Sequence, residues 1–355
     1  MRFNNVQVLR ATAACMVVMG HSGCVMYVPS ELIPLGASGV DIFFVISGFI
    51  ICQAAARHGG ALHFLSRRWW RIFPLYWIVL AVSVALNAAF GMDLASWMSG
   101  PHSAVEYVLL LTTENRYIPQ AWSLVFELYF YASLALILFV APAGRFYRIL
   151  AVWVGVQIAL VALCGPNGAP PINAMSLEFA LGCAVAWLSA RNLIRHELIA
   201  WAVGLLFFGA GEWWSLHIAF LEPLSRLCTF GVGAALGLYA LVGLERRGFN
   251  IFPAALIRLG DASYSLYLWH LPLLFIFMTV GIRKAPALVL VFLAAFASYY
   301  LIEAPLLRLA APKLAERLVS GAILAVHLWW ERISQRFRPR LNESSSLVVR
   351  VRPAS

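Results

Sequence analysis

Arg10 and His21 flank the first apolar stretch of the chain, ATAACMVVMG, eleven residues apart. Eleven residues make about three helical turns, so both side chains leave nearly the same face, roughly 16 Å apart along the axis. A cation near one membrane face and a titratable imidazole deeper in describe a path for a charged, elongated ligand. Charged groups at membrane depth are costly and functional by default. Other polar residues interrupt the apolar segments. Asp41, Trp122, Ser123, Glu127, Glu178 and Glu212 fall in the same half as His21. His270 lies near mid-span and Glu303 near the opposite end. Arg67, Arg68 and Arg71 join Arg10 in a second, cationic layer. Carboxylates and imidazoles thus face one side and guanidiniums the other, a pattern that solubility alone does not require.

Each residue also has a plainer use. Arg10 can snorkel to the interface, and Arg67, Arg68 and Arg71 can serve only as topology signals. Asp41 and Glu127 can tie helices together. Ser123 can bond its own helix backbone. His270 precedes Pro272 closely enough to be structural. The set is stronger than any member.

The elements that must hold these groups are membrane helices. The chain has 355 residues, 62% of them hydrophobic, and a mean hydropathy of +0.81, well above soluble domains of this size. A span needs about 20 mostly apolar residues. Ten segments qualify: 6–26, 36–54, 73–91, 121–140, 147–164, 175–190, 198–215, 223–244, 262–281 and 285–306. The expected fold class is therefore all-α, a polytopic transmembrane helix bundle of about ten spans. Segment 104–113 is too short to cross and reads as a re-entrant or interfacial piece of the loop 92–120. The N-terminus resembles a signal peptide superficially, but without a small-residue cleavage site it is expected to remain as the first span.

Ten spans put both termini on one side. With the termini cytoplasmic, only Arg116, Arg226, Arg283 and Lys284 lie outside, and the other 22 of the 26 basic residues lie inside, a strong positive-inside bias. Residues 1–308 form the transmembrane unit. Residues 309–355 are expected to be a basic cytoplasmic tail with an interfacial helix and a disordered end. The net charge of +10 comes almost wholly from arginine. These arginines sit in short loops between spans, which suits membrane lipid and argues against nucleic acid. Cys15, Cys24, Cys52, Cys164, Cys183 and Cys228 lie in or beside apolar segments without paired spacing. Neither a disulfide framework nor a metal site is expected from them.

Five passages carry a family resemblance: VLRATAACMVVMGH, GVDIFFVISGFII, RRWWRIFPLYW, AWSLVFELYFY, and the pair GDASYSLYLWH and IEAPLLR. In this order, from residue 6 to about 308, they resemble the acyltransferase-3 superfamily of integral-membrane acyltransferases, most closely its exopolysaccharide O-acetyltransferase branch. Leu128 stands where relatives often carry a second polar residue, and Ala304 replaces a common arginine. The chain resembles the stand-alone type, without the fused hydrolase-like domain of many relatives. The resemblance implies a multi-pass protein of the bacterial cytoplasmic (inner) membrane. It implies acyl transfer, expected to be acetyl, from cytoplasmic acetyl-CoA or another acyl-CoA to a hydroxyl of a glycan or lipid-linked glycan.

Such a reaction needs a base for the hydroxyl proton and a positioned thioester. His21 titrates near neutrality and is the natural base, with Asp41 or Glu127 to fix its tautomer. Arg10, Arg67, Arg68 and Arg71 suit the phosphates of coenzyme A. Trp122, Ser123 and His270 are candidate substrate or supporting groups, Ser123 being an alternative nucleophile. The competing reading is a proton-coupled secondary transporter, which also uses buried acids and histidines.

Overall fold

The computed structural model describes residues 3–22, 32–57, 60–91, 103–141, 144–219, 221–250, 252–282 and 285–309. In chain order the helices are α1 (Asn4–His21), α2 (Leu32–Arg57), α3 (Ala61–Phe90), α4 (Ala104–Leu109), α5 (Trp122–Val140), α6 (Phe146–Cys164), α7 (Ser176–Ala190), α8 (Glu197–His217), α9 (Pro223–Arg226), α10 (Val232–Arg246), α11 (Ala254–Asp261), α12 (Ser263–Thr279), α13 (Ala285–Ser298) and α14 (Ala304–Leu309). Two π turns, Leu227–Gly231 and Tyr299–Glu303, join α9 to α10 and α13 to α14. Among the described residues the only extended pairing is one isolated bridge, Asn167 to Asn173. The expected all-α bundle is thus the fold.

Each of the ten expected segments overlaps a helix among the described residues. Seven helices are long and apolar enough to cross a membrane, or eight if α11 and α12, bent by 69°, count as one span. α7 has only 15 residues. α1 is diluted by Asn4, Asn5, Gln7, Arg10 and His21. Neither helix is among the seven, so the expected count of about ten spans exceeds the seven or eight that length and apolarity give among the described residues. The tail expected beyond Leu309 lies outside the described residues. α6 and α8 present Val152, Ile158, Leu198, Leu205 and Leu206 outward, as lipid-facing helices do, with backbone groups satisfied inside the helix.

α1, α2 and α7 form the middle of the bundle. Small residues let them approach. A Cβ on Gly182 would stand 2.0 Å from the Val45 carbonyl oxygen, and one on Gly48 2.1 Å from that of Phe179. This is membrane packing through small side chains. Phe179 then stacks with Phe44 and Phe130, each at 4.6 Å between ring centroids. The start of α1 is fixed by Glu245, whose carboxylate accepts from the backbone N–H groups of Asn4 (2.6 Å) and Asn5 (2.8 Å). A carboxylate there satisfies orphan donors and meets the positive end of the helix dipole.

The segment 103–121 turns back against α3, as a re-entrant or interfacial piece would. Ser103 and Glu106 form a capping box on α4. The Tyr76 hydroxyl donates to the Tyr107 carbonyl, and the Trp77 indole to that of Val108 at 2.9 Å. Asn115 donates to the Tyr76 hydroxyl at 2.9 Å and accepts from the backbone of Tyr117 and Ile118 at 3.0 Å. Gln120 donates to the Leu268 carbonyl at 2.9 Å. α5 therefore starts level with the middle of α3 and with α12, which brings Ser123 and Glu127 into the centre of the bundle.

Candidate active site

A cavity between α1, α2, α3, α5 and α12 holds the first cluster of polar groups. Arg10, Arg68, Arg71, Glu127, Ser47, Ser123, Tyr131, Tyr264 and Tyr267 line it, with apolar walls from Val40, Phe43, Phe44 and Ile50. About 110 Å³ is open to the centres of water-sized groups. The α2 contributors recur every three or four residues, so a single face of that helix forms one wall.

Three of the four expected anion-binding arginines converge here. Arg10 reaches Gln7, at 3.5 Å. Arg68 lies over the Phe64 ring, 5.8 Å from its centroid, and its Nε has no hydrogen-bond partner among the described residues. Arg71 donates to Glu303 at 2.6 Å. Arg67 points outward from α3, exposed and outside the cavity lining. One residue along a helix is a 100° rotation, so neighbouring arginines cannot share a face.

Glu127 faces these cations. It accepts from Ser47 at 3.2 Å and from the Tyr131 hydroxyl. Trp122 packs edge-on to Phe44 and Phe126, with centroids 6.1 and 5.7 Å apart. Ser123 sits at the other end of the cavity, 2.6 Å from the Tyr267 hydroxyl. Tyr267 in turn donates to the Gln120 carbonyl at 2.5 Å. A carbonyl only accepts, so it takes the single Tyr267 proton, and the Ser123 proton goes to the Tyr267 oxygen. The Ser123 hydroxyl is therefore turned toward Tyr267, not toward a base.

Behind Tyr267 stand the two histidines. The Tyr267 and His270 rings are 5.9 Å apart, and the His270 and His21 rings 5.1 Å. His270 is fully buried, and its Nε2 has no hydrogen-bond partner among the described residues. His21 is exposed at the end of α1. Each Nδ1 faces a backbone carbonyl, that of Val17 for His21 (2.8 Å) and that of Tyr267 for His270 (2.6 Å). Both carbonyls only accept, which assigns the proton to Nδ1 and leaves Nε2 as the basic nitrogen. From sequence, this tautomer-fixing task falls to Asp41 or Glu127. Among the described residues, Asp41 pairs with Arg226 and Glu127 with Ser47 and Tyr131, while a helix carbonyl about one turn back faces each imidazole Nδ1.

Asp41 belongs to a second cluster. Its carboxylate accepts from Arg226 at 2.6 and 3.2 Å, while Arg226 also donates to the Ala37 carbonyl at 3.0 Å. Glu178, fully buried, stands beside them against Gly231. Neither Asp41 nor Arg226 lines the arginine cavity. Spacing on α2 hides this, because Asp41 is turned about 100° from Val40, which does line it.

Tyr131 and Tyr267 line the cavity, and Gln120 and Glu303 bond residues that do; sequence reasoning does not single out these four for the chemistry. Tyr267 carries a usable signal, since it precedes His270 by about one helical turn in SYSLYLWH. Among the described residues, no group of three or more His, Cys, Asp and Glu is placed to hold a metal ion.

A family model described as an acyltransferase domain matches residues 3–304. The exopolysaccharide production protein ExoZ of Rhizobium meliloti (strain 1021) is 31% identical over 294 residues, 77% of this chain and 90% of its own length. A candidate membrane-bound transacylase, BcsY of Komagataeibacter xylinus, is 28% identical over 85% of this chain and 82% of its own. The acyltransferase MdmB of Streptomyces mycarofaciens is 24% identical over 66% of this chain and 67% of its own. No solved structure matches the chain.

Proposed function

Because the chain belongs to the acyltransferase-3 family, and is therefore a multi-pass membrane acyltransferase, we propose that it moves an acetyl group from cytoplasmic acetyl-CoA to a glycan hydroxyl. The family decides between the enzyme and the transporter reading, in favour of the enzyme. The proposed location is the bacterial inner membrane, with both termini and the arginine end of the cavity cytoplasmic. Residues 1–308 are proposed as the catalytic unit. The acceptor is proposed to be an exported or cell-surface glycan, in keeping with the name of the Rhizobium relative.

One observation carries the reading. The arginines and the Ser123–Tyr267 contact share one cavity, and the two imidazoles stand next to Tyr267, outside its lining. Arg10, Arg68 and Arg71 would receive the anionic nucleotide end of coenzyme A. The thin pantetheine arm would run past Phe43 and Phe44 toward Tyr267. The acceptor hydroxyl would approach His21, at the exposed end of α1. His21 Nε2 takes the hydroxyl proton as the oxygen attacks the thioester carbonyl. The carbon–sulfur bond then breaks, and the thiolate leaves and is protonated to the free thiol. Direct transfer is favoured over an acyl-serine, because Ser123 donates to Tyr267 and touches no imidazole. Glu127 would balance the arginines. Trp122 supports the cavity wall, and His270 stands behind His21 as a second imidazole.

The test is His21→Ala. Acetylation of the cognate glycan should fall about 10²- to 10⁴-fold, the usual worth of a general base, with acetyl-CoA binding retained. Activity within a few-fold of wild type would remove His21 from this role and make His270 the next candidate.

A further inference from the structure

Glu303 is buried, with 2% of its side chain exposed, yet it closes a π turn at the far end of the last long helix. A π turn inserts one extra residue and rotates the helix beyond it by about 100°. Here the turn aims Glu303 at α3 and α12. One carboxylate oxygen accepts from Arg71 at 2.6 Å, the other from Ser265 at 2.6 Å. The surroundings repeat the fastening. Trp70 donates to the Leu306 carbonyl at 2.7 Å. The Tyr264 hydroxyl donates to the Ile72 carbonyl at 2.7 Å, and the Arg71 guanidinium lies over the Tyr264 ring at 5.4 Å. Residues 70–72 are thus pinned to both α12 and the helical turn after the bulge.

Arg71 differs in this from the other cations of the cavity. Arg10 and Arg68 have no carboxylate partner among the described residues. They can swing toward a ligand and lose rotamer entropy in doing so. Arg71 is held by an ion pair on one nitrogen and a ring face, while it still lines the cavity. A planar guanidinium carries five donors, so one bond to Glu303 leaves others for an anion.

We infer that Glu303 is a positioning residue for the donor, fixing the Arg71 guanidinium so that its remaining N–H groups face the cavity. The inference rests on the reading that the arginine cavity takes acyl-CoA. A pre-set cation lowers the ordering cost of binding, so the effect belongs to donor affinity and not to the chemical step.

The experiment compares donor kinetics and thermal unfolding of the full chain in Glu303→Ala, Glu303→Gln and Arg10→Ala. Glu303→Ala should raise the KM for acetyl-CoA about tenfold, the loss of roughly one charge-assisted hydrogen bond, with kcat changed less. Glu303→Gln keeps an acceptor for Arg71 and should recover most of the donor affinity. An unchanged KM in Glu303→Ala, or a fall in kcat at constant KM, would overturn the inference. Should Glu303→Ala not fold, the charge swap Arg71→Glu with Glu303→Arg separates the roles. Restored unfolding temperature with a raised donor KM supports positioning. Restored KM as well means the pair is only a brace. Arg10→Ala tells the two failures apart: if it raises the KM and Glu303→Ala does not, only this inference falls. If Arg10→Ala leaves the KM unchanged, the donor reading falls and takes the inference with it.

Discussion

α2 separates two clusters of buried charge made of the same residue types. On one face, Ser47 and its neighbours meet Arg10, Arg68, Arg71 and Glu127 around open space. On the adjacent face, Asp41 meets Arg226 with two hydrogen bonds, while Arg226 also donates to the Ala37 carbonyl. The first cluster leaves donors unused and has room for a ligand. In the second, Asp41 and Arg226 are matched donor to acceptor, the buried Glu178 carboxylate beside them makes no hydrogen bond among the described residues, and neither member of the pair lines the arginine cavity. Buried charge at membrane depth is therefore not itself a sign of a site. Unused hydrogen-bonding capacity beside a cavity is.

The comparison is broken most sharply at Arg226. Arg226→Ala leaves the Asp41 carboxylate buried and uncompensated, which should cost about 3–5 kcal/mol of stability, read by thermal or denaturant unfolding in detergent. The fraction that folds should bind acetyl-CoA with wild-type affinity. Replacing both partners by apolar residues, Asp41→Leu with Arg226→Met, should recover most of the loss. A normal unfolding profile together with a raised donor KM in Arg226→Ala would make the second cluster part of the active site.

At the open cluster the effect should be smaller and of another kind. Arg68→Ala removes a side chain whose Nε is unpartnered among the described residues, so stability should stay within about 0.5 kcal/mol of wild type. The donor KM should rise about tenfold, as expected for losing one charged contact to phosphate. Loss of stability without change in KM would make Arg68 a structural residue like Arg226. The smallest effect belongs to Ser123→Ala. It frees the Tyr267 hydroxyl from one partner but removes no base, so kcat should change by only about two- to fivefold, the worth of a single neutral hydrogen bond. A loss of about 10³-fold or more, in the range that a missing nucleophile gives, would instead restore the acyl-serine route.

The helices were legible because apolar runs of membrane length have few other uses. The arginine layer was legible as a layer, and Arg10 with His21 as a pair on one face, because helical spacing is a local property of the chain. Arg67 against Arg68 was already a question of rotation, and spacing alone leaves the rotation of α3 open until a neighbour is known. The short segment 104–113 was readable as too short to cross, and its helix is Ala104–Leu109. That it carries α5 to the middle of the bundle depends on Tyr76, Trp77 and Gln120 reaching across to their partners.

The sequence by itself determined the class of molecule, the helices and the candidate residue types, since these follow from composition and from periodicities of a few residues, whereas Glu127, expected in the layer of His21, stands among the arginines. Only the tertiary structure decided which charges are matched and which stay available. Arg226 lies 185 positions from Asp41, and Glu303 lies 232 from Arg71; nothing local links them. Hydrogen-bond partnership at such separations depends on helix rotation and depth, set by the whole packed bundle. For that reason Asp41 stands in an ion pair with Arg226, the Val17 carbonyl faces Nδ1 of His21, and Glu303 meets the cavity through Arg71.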